Sequence, residues 1–135
     1  MSILFASIVA TVAMTIFSYI ISWWSRKNYS EPYWLAQLIY KPVFGTTSLS
    51  FILGWLTHFL IGYLFAVIWI KSPLIDASQD WRYLIVGAFF GCLGIFSWIL
   101  IFLFSQKNDK SFIIPYCCQL FFAHLVYGIT LINFI

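Results

Sequence analysis

The chain has 135 residues, of which 63% are hydrophobic, 22% aromatic and 8% charged, with a net charge of +3 and a mean hydropathy of +0.96. Soluble domains carry roughly a quarter of their residues as charges, so this composition excludes a soluble fold and points to a single integral membrane domain over residues 1–135. The few positive charges form no basic cluster or stripe, which argues against a nucleic-acid partner and leaves the lipid bilayer, with its anionic surface, as the partner of the loops.

Residues 3–24 form an apolar run whose only polar side chains are Ser and Thr, and it reaches the ~20 residues that a spanning helix needs. No Lys or Arg precedes it. It also outlasts the ~7–15 residues of a signal-peptide core before closing on Trp23-Trp24, so it is read as a retained first span. Ser7, Thr11, Thr15, Ser18 and Ser22 recur within it at three-to-four-residue spacing, a polar stripe along one face. After Arg26-Lys27, Ser30 reads as an N-cap, with Glu31 in the first turn and Pro32 near the start. Trp34/Leu38 and Leu35/Ile39 are apolar pairs one turn apart, with Gln37 and Lys41 off that face, so residues 31–40 are expected to form a short interfacial helix along the headgroups.

Pro42, Gly45, Thr46 and Thr47 break the chain before a second span over 48–70, which holds His58. A polar connection with Pro73, Asp76, Asp80 and Trp81 leads to a third span over 83–104. There Gly87, Gly91 and Gly94 make a small-residue face that lets a neighbouring helix approach closely, either as an internal seam or as a homodimer contact. Lys107, Asp109 and Lys110 mark a short turn. The fourth span, 112–135, carries Pro115 in its first turn, where a missing N–H costs little, and His124. Arg26, Lys27, Lys41, Lys107 and Lys110 lie in the first and third connections, against Lys71 and Arg82 in the second. That bias puts the former inside and both termini outside. Cys92, Cys117 and Cys118 are spaced for neither a disulfide nor a zinc site and read as small packed thiols.

Both histidines stand in the pattern His-x-x-x-Gly, as His58 with Gly62 and His124 with Gly128. Likewise Ile16-Phe17-Ser18-Tyr19-Ile20 returns as Ile95-Phe96-Ser97-Trp98-Ile99. The offsets of the two repeats differ by about the length of the interfacial segment. The expected fold is therefore an all-α polytopic membrane protein, with four transmembrane helices arranged as a duplicated helical hairpin plus the short interfacial helix. The two halves would be related by an axis along the membrane normal. His58 and His124 would then match in depth, each with a glycine one turn on to admit a flat ring. Thr11, Thr15, Ser18, Gly62, Ser97 and Gly128 would form the central polar and packing set around them.

No Asp, Glu, Lys or Arg falls within any of the four spans, which argues against a pump, an ion-coupled transporter or an intramembrane hydrolase. A Ser-His pair would also lack a third group to orient the imidazole. An enzyme is not expected, and no catalytic or metal-binding residue is assigned. The first expectation is a cofactor-free accessory, assembly or partner-binding subunit of a membrane complex, its histidines neutral and hydrogen-bonded. The alternatives are a b-type haem protein with His58 and His124 as axial ligands, and a bundle that binds or transports a small molecule or lipid.

Ala13-Met14-Thr15, Gly54-Trp55-Leu56-x-His58-Phe59-x-x-Gly62, Ser72-Pro73-Leu74 and His124-Leu125-Val126-Tyr127-Gly128 stand in that order along the chain. In these motifs it resembles the small four-helix bacterial inner-membrane proteins grouped as an uncharacterised family. The resemblance covers most of the chain and implies the same fold and an inner-membrane location, with no activity to carry over. This sequence departs from the pattern in having fewer glycines after Gly62 and Gly128.

Overall fold

The computed structural model describes residues 2–45, 47–72 and 81–135, and all regular structure among them is helical. Thr46, Pro73, Asp76, Asp80 and most of the Ser72-Pro73-Leu74 motif lie outside the described residues. Four helices are long and apolar enough to cross a membrane: α1 (Ile3–Ser25), α4 (Thr47–Lys71), α5 (Arg82–Phe104) and α6 (Lys110–Phe134). Between α1 and α4 the chain forms a short helical stretch, α2 (Glu31–Leu35), a π-helical turn (Ala36–Tyr40) and α3 (Lys41–Phe44).

The helix ends follow from local chemistry. Ser2 caps α1 by accepting from the Phe5 N–H at 3.3 Å, and Arg26 ends it in the left-handed conformation at φ 55°. Gly45, at φ 66°, ends α3 in the same way, a conformation that a side chain would strain by about 1–2 kcal/mol. Asp109 caps α6, accepting from the Ser111 N–H at 2.9 Å. This cap starts the helix two residues before the expected boundary, so Pro115 falls in the second turn and not the first. Having no N–H, Pro115 leaves the Ser111 carbonyl without its helical donor. Lys27 Nζ takes that carbonyl at 3.1 Å, tying the end of α1 to the start of α6.

In the bundle, α5 packs along α6, α6 along α1 and α1 along α4, while α4 and α5 lack so extensive a contact. The order around the bundle is thus α4, α1, α6, α5. Glycines set the close crossings. A Cβ on Gly87 would lie 2.7 Å from the His124 carbonyl oxygen, and one on Gly128 2.6 Å from the Tyr83 carbonyl oxygen. On α4, Gly62 faces Thr11 of α1, and Gly54 faces the backbone of Pro32 and Ala36 in the short helical stretch. Two apolar clusters result. One holds Ala6, Ala10, Ala66, Phe90 and Tyr127; the other, toward the opposite end, holds Tyr29, Leu35, Trp98, Phe102 and Tyr116.

The segment after α1 is buried where it begins. Glu31, Pro32, Leu35 and Ala36 are buried, while Val43 and Phe44 are exposed. Trp34 faces the turn between α5 and α6, with Lys107 Nζ 4.3 Å from its ring centroid.

Candidate functional site

Between the two apolar clusters lies a belt of polar side chains. The stripe of α1 supplies its first members, because Ser and Thr in a helix bond back to the preceding turn. Thr11 donates to the Ser7 carbonyl and Thr15 to the Thr11 carbonyl, both at 2.7 Å. Thr15 Oγ1 also lies 2.9 Å from His58 Nε2. Its single hydrogen is given to Thr11, so His58 must be the donor, with its proton on Nε2 and a lone pair on Nδ1 in the neutral ring. On α6, His124 Nδ1 lies 2.8 Å from the Leu120 carbonyl, which only accepts. This ring is therefore protonated on Nδ1 and carries its lone pair on Nε2.

One turn further along α1, Ser18 reaches Glu31 Oε1 at 2.9 Å and Gln119 Oε1 at 3.1 Å, and Gln119 Nε2 donates to Glu31 Oε1 at 3.1 Å. Three elements thus meet on one carboxylate that is 2% exposed. Both donors serve Oε1, and the buried Oε2 has no hydrogen-bond partner among the described residues. Burial pushes the Glu31 carboxyl up to about 7, against the smaller downward pull of its own backbone N–H, Ser18 and Gln119.

Glu31, His58 and His124 line one cavity of about 300 Å³, together with Ser97 and Tyr127 and an apolar wall that includes Ile61, Phe65, Leu93, Trp98 and Leu120. It occupies the gap between α4 and α5, with α1 and α6 behind it and α2 beside it. Phe65 and Phe90 stack across that gap, with ring centroids 4.2 Å apart. The Tyr127 hydroxyl donates to the Gly62 carbonyl at 2.6 Å, joining α6 to α4.

His58 and His124 stand eleven and fourteen residues into α4 and α6. At ~1.5 Å per residue their depths agree within one turn if these two helices enter from the same end. The glycines one turn after them serve helix crossings: Gly62 meets Thr11, and Gly128 meets Tyr83 and Gly87. The residue that admits an imidazole is Gly94, where a Cβ would lie 3.0 Å from His124 Cε1. Gly87 and Gly91 face α6 on the same seam. Ser18 is buried in the carboxylate cluster, whereas Ser97 is exposed, edges the cavity and donates to the Leu93 carbonyl at 2.9 Å. Glu31, Gln119 and Tyr127 were not assigned to the site from the sequence, where Glu31 read as a first-turn residue of the interfacial helix and Tyr127 as part of a motif. Gln119 was the available signal, since an amide in an apolar span needs a buried partner.

Two of the four imidazole nitrogens are already committed within the protein. The cavity stands at the lower end of the ~300–1,000 Å³ found for ligand pockets, which suits a small molecule better than a macrocycle. Among the described residues, no group of three or more His, Cys, Asp or Glu is arranged to hold a metal ion.

No protein-family model, curated protein or solved structure matches this chain. Its function is therefore argued from the site.

Proposed function

We propose that this chain is a non-enzymatic, membrane-embedded binding protein that holds one small ligand in the cavity between α4 and α5. The observation that carries this reading is the convergence of Glu31, His58 and His124 on a cavity of about 300 Å³ inside an apolar bundle. Protein interiors are close-packed, and a bundle built only to pack would fill that space with side chains. Ionisable groups at membrane depth are costly and mark functional positions. An apolar cavity of ~150 Å³ already accepts benzene, so a substituted aromatic or a short aliphatic ligand has room here. A b-type haem on His58 and His124 is the less supported reading, and a purified protein without a Soret band is the expected result.

The setting we propose is a bacterial inner membrane with both termini outside, supported by the Lys and Arg bias of the connections. The part of the 31–44 segment that is exposed would lie at the headgroups. The duplicated hairpin and membership of the uncharacterised inner-membrane family belong to the same proposal. The duplication is supported by two His-x-x-x-Gly helices reaching one cavity, and superposing α1 and α4 on α5 and α6 tests it. A role as a subunit of a larger membrane complex, or as a homodimer, is compatible with a site that lies inside the bundle, and co-purification tests it.

The cavity itself is tested by calorimetric titration of the detergent-purified protein with 2-phenylethanol. Binding with a Kd of about 1 mM or tighter, corresponding to about −4 kcal/mol, is expected. It should be lost in Ser97→Phe, which fills the cavity from its α5 edge. Binding that survives this substitution would place the probe elsewhere and refute the reading.

A further inference from the structure

The polar atoms around the cavity share one character. Four of the five lining groups with a single polar hydrogen spend it on the protein: His58 Nε2–H on Thr15, His124 Nδ1–H on Leu120, Ser97 on Leu93 and Tyr127 on Gly62. What remains on these groups is lone pairs, on His58 Nδ1, His124 Nε2 and the two hydroxyl oxygens. Glu31 also lines the cavity, and its buried Oε2 has no hydrogen-bond partner among the described residues. The Trp98 indole is the one lining side chain whose N–H has no acceptor among the described residues. Tyr116, whose phenol also has no partner among the described residues, does not line the cavity.

We infer that the ligand is a small organic cation with a hydrogen-donating head, a protonated primary amine on an apolar body, with Glu31 Oε2 as its counter-charge and the free imidazole nitrogens as acceptors. This inference rests on the cavity being a binding site. An ammonium offers three donors and no acceptor, the complement of a wall that has spent all but one of these hydrogens. An anion would meet lone pairs with almost nothing to donate to it, and a hydrocarbon would leave the buried carboxylate unpaired, the costliest arrangement for such a group. The aromatic faces of Phe65 and Trp98 on the same wall add attraction for a cation.

The test compares three probes of similar shape near pH 8: 2-phenylethylamine as its cation, neutral 2-phenylethanol and anionic phenylacetate. The amine is expected to bind at least ~10-fold more tightly than the alcohol, the size of one charge-assisted hydrogen bond, and phenylacetate more weakly than either. In Glu31→Gln the preference for the amine should vanish while the alcohol still binds. Ser97→Phe should abolish specific binding of all three, which removes partitioning into the micelle from the account. If the alcohol binds wild type as tightly as the amine, or phenylacetate binds best, the cation inference fails while the binding site stands. If no probe binds, the site itself fails. Since selectivity is read first in the wild type, the comparison stands even if Glu31→Gln does not fold.

Discussion

Replacing Glu31 with Gln removes a titratable group from the interior and nearly keeps its shape, so it isolates what the carboxylate does to stability. In the folded chain this group is raised from 4.5 to about 7, chiefly by burial. The fold therefore holds the proton more tightly than the unfolded chain does. The contribution is fully present below about pH 4.5 and is lost as the pH rises through about 7. At ~1.36 kcal/mol per unit, the whole loss is about 3 kcal/mol. Reversible unfolding in mixed detergent micelles at several values between about pH 5 and 8 measures it. The stability of wild type relative to Glu31→Gln should fall by most of that amount across the window, with the variant at least as stable at the alkaline end. The other ionisable groups of the cavity, His58 and His124, are unchanged in the variant, so they cancel in the difference. A difference between the two proteins that stays constant or rises with pH would refute the reasoning.

The crossing of α5 and α6 leaves no room for a methyl group, because the nearest atoms that a Cβ on Gly87 or Gly128 would meet belong to the backbone. Gly87→Ala and Gly128→Ala should each cost about 1–3 kcal/mol in the same unfolding assay, and an effect below about half a kcal/mol would mean that the helices cross elsewhere. Thr15→Val takes the acceptor from His58 Nε2–H. It should cost about 0.6 kcal/mol, the average for membrane hydrogen bonds, and nitrogen-15 spectra should show His58 leaving its single Nε2–H tautomer. A fusion after Ile135 should report from outside the cytoplasm, and a cytoplasmic signal would overturn the orientation or the number of crossings.

The four helices long and apolar enough to cross a membrane were legible in the chain because the length and polarity of each apolar run are local properties. The expected boundaries at 3–24, 48–70, 83–104 and 112–135 differ by two residues or fewer from the observed helix ends. The pairing of His58 with the α1 stripe was also within reach. A hydroxyl every turn on one helix, and one imidazole on the next, leave few other ways to satisfy the imidazole within the bundle. Glu31 was not. It lies between spans in sequence, and counting charges within spans missed it. Its burial follows from Gly54 letting the Pro32 and Ala36 backbone close on α4, and from Ser18 and Gln119 meeting the carboxylate from α1 and α6. Nor can a one-dimensional pattern show that α4 and α5 stand apart while α1 and α6 pack between them. The cavity is the space left by that arrangement, and packing sets it through the backbone contacts that a few glycines permit.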